Sequence, residues 1–216
     1  MKTENNVIQG VPEPTVRRLP NYLTYLMAIE KNGIENISAP QIARDLSLDP
    51  TQVTKDLSYT GIIGKTKIGY NIKELINSLQ DFLGYRRTNI AFLVGVGNLG
   101  SALLKYEGFA VTGLKIVAAF DTDLSKVGGK VGNVDIFHLD KFKNLTERLH
   151  CQIGIITTPS DVSQNIAEMM ISWGIKAIWN FTPVMIRVPE GIVIENTSIY
   201  SNLAVIINKL ERMQNK

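Results

Sequence analysis

"NIAFLVGVGNLGSALLKY", residues Asn89–Tyr106, decides the fold. An apolar run from Ile90 to Val94 leads into Gly95, Gly97 and Gly100 in a G-x-G-x-x-G arrangement, and a helix-like pattern follows at once. A strand, a glycine turn and a helix in that order mark a turn that cradles phosphate. Gly95 permits the tight turn, Gly97 lets the backbone approach a pyrophosphate, and Gly100 lets helix and strand pack closely. Asn98 and Leu99 fall in the first helical turn, where backbone N–H groups lack intrahelical partners and point at an anion.

Downstream, "AAFDTD" ends a second apolar run and places Asp121 about twenty residues past the last glycine, where a carboxylate accepts from adenosine ribose hydroxyls. No Arg or Lys immediately follows to receive a 2′-phosphate, so NADH and NAD are expected over their phosphorylated forms. Apolar runs at Ile90–Val94, Ile116–Phe120, Ile153–Ile156 and Ala177–Trp179 read as buried parallel strands, with helices after Gly97, Asp140 and Ser160 between them. That alternation predicts an α/β, doubly wound Rossmann-type domain over residues 87–196. Ligands sit at strand C-terminal ends, and the loops there are "TTPSD" and "NFTPV". Thr158, Pro159, Phe181 and Pro183 in these loops are candidates to line a nicotinamide slot. His138 and His150 read as solvated helix residues away from those ends, and Cys151 reads as a core residue, so no acid or base for hydride chemistry stands out. The last segment, residues 197–216, is a helix with Leu203, Ile206, Ile207 and Leu210 on one face that needs a partner.

Upstream, residues 1–14 are polar and proline-containing and read as a flexible arm. A first helix is predicted over Arg17–Lys31. Ser38 then caps a short helix over Ala39–Leu46, "SLDP" breaks it, and another begins at Asp49 or Pro50. Two short helices with Ala43 at their approach are what a helix-turn-helix requires. "TGIIGKTKIGYNI" reads as a small hairpin wing, and "IKELINSLQDFLG" as an amphipathic helix before the boundary at "YRRT". Residues 15–86 are therefore expected to form a winged-helix domain.

The net charge of +3 is mild and divides almost evenly between the two halves, so charge alone does not announce a nucleic-acid binder. A single cysteine excludes an intrachain disulfide framework and a cysteine-based zinc site. No apolar stretch approaches the length of a membrane span and the start lacks the apolar core of a signal peptide, so no membrane partner and a cytoplasmic location are expected.

The order of winged helix, "KDLSY", "GVGNLGSALLKYEGF", "FDTD", "GIKAIWNFTPV", "VP" and a C-terminal amphipathic helix resembles the Rex family of redox-sensing transcriptional repressors over nearly the whole chain after residue 15. The resemblance implies a homodimer that binds double-stranded operator DNA when NADH is scarce and releases it when NADH rises. It implies a regulator rather than an enzyme, with the C-terminal helix exchanged between subunits. Gln52, Lys55, Ser58, Lys65 and Lys67 become candidate DNA contacts, and Tyr106 joins the cofactor set. Three positions depart from the family pattern. Thr54 stands where an Arg usually precedes the Lys-Asp-Leu-Ser run, Thr60 replaces an aromatic, and Ser198 replaces the Asp expected to pair with Tyr106. A wing glycine is also missing at "GKTKIGY". The alternative reading, a small NAD-dependent oxidoreductase or nucleotide-binding enzyme with an N-terminal docking domain, predicts turnover of NADH with a carbonyl substrate.

Overall fold

The computed structural model describes residues 10–214, so most of the expected N-terminal arm lies outside the described residues. The chain divides into two compact units, Met1–Arg87 and Thr88–Lys216.

In the first unit α1 spans Glu13–Glu30 and so begins earlier than the sequence suggested, inside the expected arm. Pro14 sits in the first turn, where its missing N–H costs nothing, whereas Pro20 lies well inside the helix. A short strand, β1 (Asn36–Ile37), precedes α2 (Ala39–Asp45), which Ser38 caps by accepting from the Gln41 N–H at 3.3 Å. The next helix, α3 (Pro50–Ser58), is capped by Asp49, which accepts from the Gln52 N–H at 3.0 Å. The chain then turns through a wing, closed by a bridge between Lys65 and Gly69, into β2 (Tyr70–Asn71), which pairs antiparallel with β1. Finally α4 (Ile72–Phe82) closes the unit over a core that includes Leu19, Leu26, Ile42, Val53, Leu57, Leu75 and Leu79. Ala43 is buried between α2 and α3, as the close approach of two helices requires.

The second unit carries β3 (Asn89–Val94), α5 (Asn98–Leu104), β4 (Leu114–Asp121), β5 (Lys130–Val131), β6 (Val134–His138), α6 (Phe142–Leu149), β7 (Ile153–Ile156), α7 (Ser163–Ser172), β8 (Ala177–Asn180), β9 (Val193–Asn196) and α8 (Ile199–Gln214). The sheet order is β5-β6-β4-β3-β7-β8-β9, with every pairing parallel except β5 with β6. The chain starts in the middle and winds outward both ways, which makes the gap between β3 and β7 the topological switch point. Along β3, Ala91 and Leu93 face one core with α5, while Phe92 and Val94 face the other with α6 and α7.

Two readings need correction. Val134–His138 is a strand, and His138 is its last residue, paired with Asp121; it belongs to no helix and sits at a strand C-terminal end rather than away from those ends. The sheet also extends further than the apolar runs indicated, by two strands beyond β4, through β6 and β5, and by one beyond β8, through β9. Among the described residues no helix is long and apolar enough to cross a membrane.

Candidate functional site

The three glycines of the turn do different work. Gly95 has φ +100°, and a Cβ there would meet the Thr157 backbone at 2.8 Å. A Cβ on Gly100 would meet the Gly95 carbonyl oxygen at 2.1 Å. Both glycines are therefore demanded by the protein itself. Gly97 is not, because a Cβ there would meet nothing within 4 Å among the described residues and its φ of −84° suits any residue. Gly97 also caps α5 without a side chain, which leaves first-turn N–H groups open to an anion.

Around this turn lies a cleft of about 480 Å³ lined by Gly95, Gly97, Asp121, Lys126, Thr158 and Pro159, with Leu139, Val162 and Ile166 forming an apolar wall. Asp121 is set at the end of β4 before any ligand arrives. Its Oδ2 accepts from the Val96 N–H at 2.8 Å and from Lys126 Nζ at 3.1 Å, and its Oδ1 accepts from the Asp123 N–H at 2.9 Å. Burial works to raise its pKa, but these donors outweigh burial and hold the carboxyl below the ordinary carboxylate range. Thr158 Oγ1 is buried in the cleft with no hydrogen-bond partner among the described residues. A buried hydroxyl without a partner is costly unless something completes it. The open space at Gly97, the uncapped helix start, the seated carboxylate and this hydroxyl all fit a dinucleotide.

Asn98 and Leu99 are exposed in the first turn of α5, beside the cleft. Phe181, Pro183 and Tyr106 do not line it within one chain. Phe181 packs on Trp179 with ring centroids 4.6 Å apart, Pro183 is exposed in the next turn, and Tyr106 borders a separate groove with Phe109. Lys126 escaped the sequence reading because it returns to Asp121 from five positions on, through the turn after β4. Cys151 is buried in the sheet core, and burial pushes its thiol up to about 11.

In the first unit, Thr51, Thr54, Lys55 and Ser58 are exposed along one face of α3, while Gln52 is half-buried beside Arg18. The opposite face carries Asp56, only 2% exposed, which accepts from Thr15 Oγ1 at 2.8 Å, from Arg18 at 2.7 and 2.8 Å, and from Tyr22 Oη at 2.7 Å. Three donors from α1 thus fix how far α3 stands out, and no local pattern in the sequence could have revealed them. Lys65 and Lys67 are both exposed in the wing, and Lys67 holds a left-handed φ of +66°.

A phosphate-cradling doubly wound sheet joined to a winged helix defines a class of nucleotide-binding proteins with a DNA-binding head. Two family models divide the chain in the same way: "Putative DNA-binding protein N-terminus" matches residues 10–58, and "CoA binding domain" matches residues 86–184. The chain belongs to the Rex family of redox-sensing transcriptional repressors. It is 46% identical to the Rex repressor of Bacteroides fragilis over 213 residues, covering 96% of this chain and 97% of that one. It is 48% identical to that of Bacteroides thetaiotaomicron over 212 residues, covering 96% of each. Among solved structures, RSP in complex with β-NAD⁺ and operator DNA matches with a TM-score of 0.88 at 31% identity, covering 94% of both chains. RSP in complex with β-NADH matches with a TM-score of 0.86 at 30% identity, covering 95% of this chain and 97% of that one.

Proposed function

We propose that this chain is a redox-sensing repressor that binds operator DNA as a homodimer through its winged helix and releases it when NADH fills the cleft. The observation that carries this reading is Gly97. It is a glycine that no atom of the described residues requires, set at an uncapped helix start in a chain whose other unit presents an exposed recognition helix.

Asp121 would hold the adenosine ribose by accepting from its hydroxyls, the N–H groups of Asn98, Leu99 and Gly100 would hold the pyrophosphate, and Thr158 Oγ1 would gain the partner it lacks. Coenzyme A carries a phosphate on that ribose, and the carboxylates of Asp121 and Asp123, balanced by Lys126 alone, repel it. NAD supplies redox state rather than chemistry: its oxidised ring is a cation and its reduced ring is neutral. Pro159 and the turn bearing Phe181 and Pro183 offer the ring few polar groups, which disfavours desolvating the cation. NADH weakens DNA binding only in so far as it prefers the arrangement in which two recognition helices no longer lie about 34 Å apart.

We read the chain as a regulator, not an enzyme, because the ionisable residues lining the cleft, Asp121 and Lys126, are already paired with each other. The exposed apolar face of α8, with Leu203, Ile206, Ile207 and Leu210, supports a dimer in which this helix is exchanged. A DNA target supports a cytoplasmic location.

A mobility-shift titration on a palindromic promoter fragment, with NADH and NAD⁺ added separately, tests the reading. NADH should dissolve the shifted band while NAD⁺ at the same concentration leaves most of it; a band indifferent to NADH ends the sensor reading.

A further inference from the structure

The turn after β8 and the root of α8 are fastened to each other. Asn180 is fully buried, and its Oδ1 accepts from the N–H and the hydroxyl of Thr182 at 2.9 and 2.7 Å. Its Nδ2 donates to the Val184 carbonyl at 2.7 Å and to Asn196 Oδ1 at 2.8 Å. One amide therefore shapes the 181–184 turn and holds the end of β9. The Thr197 N–H donates back to the Asn180 carbonyl at 2.8 Å. One residue earlier in β8, the Trp179 indole packs against Phe181 with the rings tilted by 44° and donates through Nε1 to Thr197 Oγ1 at 2.9 Å. Trp179 is thus both the ring behind Phe181 and the donor that holds the residue from which α8 departs. Its other neighbour is Phe109, at 5.9 Å, and Phe109 in turn packs edge-on against Tyr106 at 5.0 Å.

Packing alone does not require an indole N–H to meet a threonine hydroxyl, since phenylalanine would fill the same apolar layer. We infer that Trp179 and Thr197 are positioning residues that carry the occupancy of the 181–184 turn to α8, and so couple ligand to dimer arrangement. This rests on the functional reading above. Phe181 lies outside the cleft of one chain but next to it, its N–H donating at 3.0 Å to the carbonyl of Ile156, the residue before the cleft-lining Thr157. A ligand whose nicotinamide end reaches that turn would shift the Trp179 ring through Phe181, and the hydrogen bond would pass the shift to Thr197 at the helix root. Coupling of this kind is a free energy between two sites, so it can be lost while each site keeps its own affinity.

Thr197→Val keeps the shape and the backbone bond to Asn180 but removes the acceptor, Trp179→Phe removes the donor, and Thr197→Ser restores a hydroxyl. Affinity for a duplex selected by the wild-type protein from a random pool is measured without NADH and at saturating NADH, and the ratio of the two is the coupling. Removing one hydrogen bond should shrink that ratio about fivefold in Thr197→Val and in Trp179→Phe, with no further loss in the double variant. Thr197→Ser should keep the wild-type ratio, and all variants should bind NADH without DNA, and DNA without NADH, as the wild type does. An unchanged ratio in Thr197→Val overturns the inference, as does a parallel loss of DNA affinity without NADH, which would mark a merely structural role. A wild-type ratio of one sinks the functional reading and the inference with it, whereas a large wild-type ratio that Thr197→Val preserves sinks the inference alone.

Discussion

Gly97 and Gly100 look alike in the sequence and differ in physics. Gly97→Ala adds a methyl group where no atom of the described residues stands within 4 Å, so the melting temperature should stay within a few degrees while NADH affinity falls at least tenfold by isothermal titration. Gly100→Ala drives its methyl into the Gly95 carbonyl oxygen and should fail in the melt instead. Lys67 poses the opposite case. A non-glycine residue in left-handed backbone costs on the order of 1 kcal/mol, and Lys67 holds that conformation. Lys67→Gly should therefore raise stability by up to about 1 kcal/mol in urea unfolding. If the ammonium meets a phosphate, the same variant should weaken DNA binding and reduce the salt slope by about one. The motif made the glycine positions legible, but only their neighbours in space, some of them far away in sequence, sort the protein's own demands from the ligand's.

At the scale of elements, the seat of α3 on α1 depends on Asp56. Its carboxyl is held below the ordinary range because hydrogen bonds from Arg18, Tyr22 and Thr15 outweigh the burial that would raise it. A pKa lower in the folded state than in the unfolded one contributes stability that is present above about pH 4 and is lost as pH falls through the folded value. Asp56→Asn leaves Arg18 without its counter-charge. Because Arg18 is 24% exposed, a cost near the low end for broken buried pairs, about 3 kcal/mol, is expected at pH 7. In urea titrations the gap between wild type and variant should narrow as the pH drops below 4. The sequence marked α3 clearly through Asp49, Pro50 and its apolar period, yet Asp56 looked like any helix carboxylate because its three partners lie 34 to 41 positions away. The strands divide in the same way. Those buried on both faces, such as β3 and β7, announce themselves as unbroken apolar runs. β6 lies next to the sheet edge and exposes Asp135, and β9 is the edge itself, so both read as loop or helix.

For the whole molecule, the exposed apolar face of α8 is the feature a lone chain leaves unexplained. If a second copy covers it, Leu210→Glu should leave each unit folded by circular dichroism but shift the protein to monomer in sedimentation. Operator affinity should collapse with it, because two recognition helices would no longer be held in register. A dimer with both properties intact would mean that α8 is not the exchanged element. The cleft carries a further implication, about time rather than affinity. Asp121 is already seated by Val96, Asp123 and Lys126, so its side chain need not be reordered when ligand arrives. A prearranged site fills at close to the rate of encounter, and differences in affinity then reside in the escape of the ligand. Derepression should therefore follow a rise in NADH promptly, and the lag before silencing resumes should be set by how long each bound molecule stays.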